Sequence, residues 1–347
     1  MGDKVIEVEG LEVELALATG PVSVIEDVSF SIERGHVLGV VGESGCGKSM
    51  TANAIMGLLP RGIGRIKAGS IRLLGEELVG ASERAMRSVR GDKVSMIFQE
   101  PMTSLDPVYT IGSQLVEMIR AHRKISKRDA RAYAVEMLAK VGIPSPEARM
   151  REYPHELSGG MRQRVMIAMA LSCEPALLIA DEPTTALDVT IQAQILDLIG
   201  ELQRELDTAV LLVTHDMGVV AQTADDVMVM YAGQAVEMSS AQELFHTPKH
   251  PYTRGLIASI PPLDLSVEKL HTIQGNVPAL TDMPAGCRFC ERCPLAQERC
   301  RAQAPPLFDT GAARVRCFMF ENAGATPAAS GARTASAKVA ASGEGEA

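Results

Sequence analysis

The stretch Val37-Leu38-Gly39-Val40-Val41-Gly42-Glu43-Ser44-Gly45-Cys46-Gly47-Lys48-Ser49 decides the fold. It opens on an apolar run, which suits a short strand buried on both faces. The glycines that follow, Gly42-x-x-x-x-Gly47-Lys48-Ser49, have the spacing of a phosphate-binding loop between a strand and a helix. Glycines let the backbone curl so that successive N–H groups point inward at phosphate oxygens. The helix expected next, Met50 to Leu59, offers its positive N-terminal end. Lys48 adds a point charge for the β- and γ-phosphates, and Ser49 places a hydroxyl on Mg²⁺. Gly42, Ser44, Gly45, Cys46, Gly47, Lys48, Ser49 and Met50 are therefore the expected nucleotide cradle.

Further along, Leu177-Leu178-Ile179-Ala180-Asp181-Glu182 reads as a buried strand ending in two acids. Asp181 can hold Mg²⁺, directly or through water. Glu182 can polarise a water for in-line attack on a γ-phosphate. Residues 3–15 alternate apolar and charged side chains, as an exposed antiparallel strand does. More strands are expected at Ser29 to Ile32, Lys93 to Phe98 and Val210 to Thr214. Val227 to Tyr231 and Gln234 to Met238 read as a hairpin around Ala232-Gly233. Helical patterns fill 110–142, 158–173 and 189–206. Strands alternating with helices imply a mainly parallel sheet with antiparallel strands at its edge.

Composition narrows the class. Apolar residues make up 46% and charged residues 22%, which is ordinary for a globular protein. Aromatics are only 3%, with no Trp, so the core must be built from aliphatic side chains. That favours a sheet clothed in helices over an all-β sandwich. A net charge of −9 argues against nucleic acid as a partner, because such binding needs a basic face. Met1 to Glu9 carries charges where a signal peptide needs an apolar run. No apolar stretch reaches the roughly 18–20 residues of a bilayer span. The expectation is a cytosolic chain that serves a membrane only through a partner.

Between the two acidic and basic sites lies Leu157-Ser158-Gly159-Gly160-Met161-Arg162-Gln163. It resembles the signature motif of ABC-type ATPases. Physically it is a second anion cradle, with a Ser hydroxyl and Gly amides at a helix start. In that family it faces the γ-phosphate held by the partner subunit, which implies a head-to-tail dimer with ATP between the subunits. Gln99, in Phe98-Gln99-Glu100-Pro101, matches the family's Q-loop, implied to sense Mg²⁺ and γ-phosphate and to couple to the membrane subunit. Thr185-Ala186-Leu187-Asp188 matches the D-loop, a dimer contact, and His215 matches the switch histidine. The resemblance implies an α/β fold: a P-loop NTPase core of the ABC-ATPase type over residues 1–250, with an antiparallel β edge and a helical subdomain at about 103–172. One departure stands out. The family stacks an aromatic on adenine, yet Thr19 to Val24 contains none, leaving Thr19 and aliphatic groups such as Val22 or Val24 as base contacts.

Five of the seven cysteines fall within residues 287–317. In a cytosolic protein such crowding reads as metal or cluster binding before disulfides. His250-Pro251-Tyr252-Thr253, Ile260-Pro261 and Gly286-Cys287-Arg288-Phe289-x-x-Arg292-Cys293-Pro294, with Cys300 and Cys317 behind, resemble the C-terminal extension of oligopeptide/dipeptide ABC importers. The resemblance implies that Cys287, Cys293, Cys300 and Cys317 ligate a [4Fe–4S] cluster, with Cys290 spare. Zinc on four thiolates is the rival, and reduced cysteines filling a small core are the third possibility. Residues 251–321 are thus expected to form a small Cys-rich module. Residues 322–347, almost all Ala, Gly, Ser and Thr with a few charges, are expected to be a disordered tail.

The implied reaction is ATP + H₂O to ADP + phosphate. Glu182 and His215 are the catalytic candidates, with Ser49 and Gln99 on Mg²⁺. Asp181, Ser158, Gly159, Gly160 and Asp188 join the nucleotide set. The implied partners are a second ABC ATPase subunit, expected to be a paralogue, two transmembrane permease subunits and an extracytoplasmic substrate-binding protein. The implied place is the cytoplasmic face of the membrane, peripherally bound. Dipeptides or oligopeptides are the expected cargo, with nickel, glutathione or sugars as alternatives. The rival classes are an ABC ATPase of DNA repair or translation, and a redox or iron sensor that kept its nucleotide site.

Overall fold

The computed structural model describes residues 3–99, 104–184, 188–260 and 272–322. In chain order the first strands are β1 (Lys4–Leu17), β2 (Gly20–Glu33), β3 (Val37–Val41), β4 (Gly64–Leu73), β5 (Glu76–Glu77) and β6 (Val94–Ile97). They are followed by β7 (Leu177–Asp181), β8 (Ala209–Val213), β9 (Asp226–Tyr231), β10 (Gln234–Ser240), β11 (Phe308–Asp309) and β12 (Ala313–Val315).

The central sheet has the order β11-β12-β10-β9-β3-β8-β7-β6. The apolar strand β3 lies inside it, parallel to β8 on one side and β9 on the other, with Val40 opposite Val213 and Met228. β6, β7 and β8 continue the parallel half. The expected hairpin forms: Ala232 and Gly233 both take positive φ, 45° and 84°, the two-residue turn that matches strand twist. A second sheet, β2-β1-β4-β5, is antiparallel and supplies the expected β edge.

Helix α1 (Lys48–Met56) follows the glycine-rich loop. It stops before the expected Leu59, because Gly57 turns left-handed and its N–H closes the helix on Ala54 O. Strand β4 and helix α2 (Glu83–Val89) carried no clear pattern in the sequence. β4 is half exposed and is held by pairing with β1, Ile6 opposite Leu73 and Val8 opposite Ile71. The faces of β1, β2 and α1 and one face of the central sheet share one aliphatic core. On the other face lie α3 (Ile111–His122), α4 (Lys127–Lys140), α5 (Gly159–Leu171) and α6 (Val189–Leu206). They bury Leu115, Ile119, Leu138, Ile167 and Ile195 against Leu178 and Leu212. Thr110, Ser126, Ser158 and Asp188 cap the four helices through their side-chain oxygens. Among the described residues, no helix is long and apolar enough to cross a membrane.

The C-terminal residues are tied to the central sheet. β12 pairs with β10, Val315 opposite Glu237, and β11 pairs with β12. Phe289 packs between Tyr231 of β9 and Tyr252 of α7 (Pro251–Ala258), with ring centroids 5.1 and 5.4 Å apart. This knot gathers three of the chain's twelve Phe and Tyr rings at one joint.

The iron–sulfur expectation is corrected here. Cys287, Cys290, Cys293, Cys300 and Cys317 are free thiols around one small cavity that they share with Phe289, Leu295 and Phe318. Among the described residues, no group of three or more His, Cys, Asp or Glu side chains could hold a metal ion. Burial pushes the Cys287 thiol up to about 12 and raises Cys290, Cys293 and Cys317 as well. Metal ligation needs thiolates, and burial in apolar surroundings favours the protonated form. Among the described residues, Cys287, Cys293, Cys300 and Cys317 thus make no group that could hold the expected [4Fe–4S] cluster or zinc, and Cys287 and Cys293 pack instead against the apolar cluster around Phe289. The expected D-loop residues Thr185, Ala186 and Leu187 lie outside the described residues. So do Glu100, Pro101 and Pro261, and the expected tail beyond Asn322.

Candidate functional site

The parallel strands deliver their carboxyl ends to one edge of the sheet. β3 runs into the glycine loop, β6 leads to Gln99, β7 ends in Asp181 with Glu182 next, and β8 leads to His215. In an open α/β sheet this edge is where ligands bind.

Gly42 takes φ 149°, and a Cβ there would collide with the carbonyl oxygen of Met230 on β9. Only glycine lets the loop pass so close to the neighbouring strand. Gly47, at φ 107°, lets the chain enter α1 without a side-chain cap on the helix. Lys48 is only 5% exposed, and its ammonium donates to Gly42 O at 2.8 Å and Glu43 O at 3.2 Å. The charge is thus held against the loop that the phosphate-binding pattern marks.

Ser49 Oγ donates to Asp181 Oδ1 at 2.9 Å, which joins the loop to the end of β7. Burial raises the Asp181 carboxyl above its ordinary value, and the Glu182 charge adds to this. The Ser49 hydroxyl and Lys48 oppose it. The Ser49 hydroxyl, the Asp181 carboxylate and the Gln99 amide are hard oxygen donors, the kind that suits Mg²⁺.

Glu182 is the hub of the other half. Gln99 Nε2 donates to its Oε2 at 2.9 Å, and His215 Nδ1 lies 3.5 Å from its Oε1. Glu182 itself sits at φ 46°, and its N–H donates to Val213 O at 2.8 Å. A left-handed glutamate is costly backbone, the kind of strain that concentrates at working sites. Its carboxylate is thereby held where β7 and β8 end.

Part of this set borders an open cleft of about 820 Å³, whose lining does not include Asp181 or His215. Ser44, Gly45, Gly47, Lys48, Ser49, Gln99 and Glu182 make its polar lining. Leu15, Val24, Met50 and Leu280 make its apolar lining. Cys46 is buried behind the loop and does not line the cleft. Of the expected base contacts, Val24 lines it and Thr19 and Val22 do not. Ser158, Gly159 and Gly160 start α5 elsewhere, with Ser158 Oγ accepting from the Met161 N–H at 3.4 Å. Asp188 caps α6 by accepting from the Ile191 N–H at 3.0 Å. One chain therefore does not bring these four residues into the cleft.

Sequence reasoning missed three neighbours of the loop. Arg292 forms a two-pronged pair with Glu43, at 2.7 and 3.0 Å, and the Tyr252 hydroxyl accepts from the Glu43 N–H at 2.9 Å. Leu280 is the third. Arg292 and Tyr252 stood inside quoted motifs, but nothing in the sequence linked them to a loop some two hundred positions away.

This arrangement, a glycine loop with a buried lysine beside Ser49, Asp181, Glu182 and Gln99 at one sheet edge, is that of a P-loop nucleotide hydrolase. The ABC transporter family matches residues 25–185, and the C-terminal region of the oligopeptide/dipeptide transporter family matches residues 236–300. The oligopeptide transport ATP-binding protein AppD of Bacillus subtilis is 50% identical over 92% of this chain and 98% of its own. The oligopeptide transport ATP-binding protein OppD of Salmonella typhimurium is 50% identical over 90% of this chain and 93% of its own. The dimeric ABC transporter cassette MJ0796 superposes with a TM-score of 0.61 at 25% identity, over 68% of this chain and 98% of that one. The chain belongs to the ATP-binding subunits of ABC transporters, in the branch that carries the oligopeptide/dipeptide C-terminal region. It binds ATP and hydrolyses it.

Proposed function

We propose that this subunit powers the import of dipeptides or oligopeptides. The relatives that match nearly the whole chain are peptide transport ATP-binding proteins, and the C-terminal match is to the same branch. The observation that carries the catalytic half is that the consecutive residues Asp181 and Glu182 are held by Ser49 on one side and by Gln99 and His215 on the other.

The roles follow from the chemistry. The loop amides at Ser44, Gly45, Gly47 and Met50, with Lys48, hold the triphosphate. Ser49, Gln99 and Asp181 would hold Mg²⁺, which when bound neutralises charge on the β- and γ-phosphates. Glu182 accepts a proton from the attacking water, the water oxygen bonds to the γ-phosphorus, and the bond to the ADP oxygen breaks. His215 orients the same centre. Ser158, Gly159, Gly160 and Asp188 act on the nucleotide of a second ATPase subunit, which we take to be a paralogue. That dimer would close on ATP and open after hydrolysis, moving two permease subunits through the groove beside Gln99. An extracytoplasmic binding protein would deliver the cargo, and the dimer would sit on the cytoplasmic face of the membrane. Residues 1–250 would be the ATPase domain, with 103–172 as its helical subdomain and 251–321 as the branch-specific module.

The test is reconstitution of this chain with its permease and partner ATPase in vesicles. ATP-dependent uptake of a labelled dipeptide or oligopeptide is expected. Uptake of nickel with no response to peptides would contradict the reading.

A further inference from the structure

The cleft needs an apolar wall for the adenine ring, and no aromatic of the first two strands supplies one. A planar base is held best between apolar surfaces. Leu15 of β1 and Val24 of β2 offer part of such a surface. The remaining apolar lining from outside the N-terminal core is Leu280, from the C-terminal segment. Leu15, Met50 and Leu280 all pack against the same aliphatic core that contains Val24.

Leu280 is held in place, not simply nearby. It lies in a turn closed by the Asp282 N–H donating to Ala279 O at 2.9 Å. Just upstream, Arg292 donates to Gln274 O at 3.0 Å and Ile273 O at 3.3 Å. The same guanidinium grips Glu43 of the phosphate loop. One arginine thus ties the segment leading to Leu280 to the loop that would carry the phosphates. The span from phosphate cradle to Leu280 is therefore braced at both ends.

We infer that Leu280 is an adenine contact, so that the C-terminal segment completes the ATP site and takes the place of the missing stacking aromatic. This rests on the nucleotide reading of the cleft. Leu280 would contact the base together with Leu15 and Val24. The phosphate end would not feel it directly.

Binding of Mg·ATP and of Mg·tripolyphosphate to the purified full-length chain separates the two ends. Leu280→Ala should weaken ATP about five-fold, the order expected for losing part of a leucine's apolar contact, and leave tripolyphosphate affinity unchanged. Leu280→Phe should match or exceed the wild type for ATP, which also shows that the position tolerates change. Unchanged ATP affinity in Leu280→Ala, or equal losses for ATP and tripolyphosphate, would overturn the assignment. Wild-type protein that binds neither ligand would overturn the nucleotide reading itself, a different outcome from either.

Discussion

At the residue scale the chain uses buried polar groups as fixtures, and His250 shows how. It caps α7, with Nδ1 accepting from the Tyr252 N–H at 3.1 Å, while its own N–H donates to Glu237 at 2.7 Å. Burial lowers the imidazole from its ordinary 6.5 to about 3, and Arg254 adds to this. Only neutral Nδ1 can accept that bond. A folded value below the unfolded one means the unfolded chain binds more protons between the two. Stability should be fully present above about pH 6.5 and fall on acidification toward pH 3, by at most about 1.4 kcal/mol per pH unit. Glu237, whose carboxyl burial raises, acts in the opposite direction. Denaturant melts of wild type and His250→Asn between pH 7 and 4 isolate the histidine. Asn keeps a capping oxygen without titrating, so the variant should show the flatter profile.

At the element scale the phosphate loop is held by two different parts of the chain. β3 and α1 shape it, while Arg292 and Tyr252 grip Glu43 from the C-terminal side. Arg292→Met should unfasten that grip. It leaves the partly buried Glu43 carboxylate without its cation, which should lower unfolding stability by about 1–3 kcal/mol in guanidinium melts and weaken ATP binding. Legibility in the sequence divided along the same line. The strand, loop and helix at 37–56 were readable because glycine spacing and apolar runs are local signals. Helix α6, Val189–Leu206, was readable from its period, and its bounds coincide with the expected ones. β4 was not, since its half-exposed residues make sense only against β1. The cysteine cluster misled for the same reason. Spacing shows which thiols are near in sequence, whereas ligation depends on how they face one another and on their protonation. Leu280 reaches the cleft, and Arg292 reaches Glu43 of the glycine loop, through long-range packing that no local pattern encodes.

At the scale of the whole molecule, the proposed function makes the cleft a half-site. The glycine loop, Asp181, Gln99 and Glu182 gather at one sheet edge, while Ser158 and Asp188 cap helices and, with Gly159 and Gly160, do not line the cleft. The chain's C-terminal segment, joined to the central sheet through β12, adds to the nucleotide cleft from the side. The central claim is that this chain hydrolyses ATP through Glu182. The direct test is phosphate release at saturating Mg·ATP by wild type and Glu182→Gln, with ATP affinity measured on the same samples. The account predicts a turnover about 10²–10³-fold lower with affinity retained, since the amide keeps the contact with Gln99 but cannot take the proton. Turnover unchanged in the variant, or lost only in proportion to a loss of ATP affinity, would contradict it.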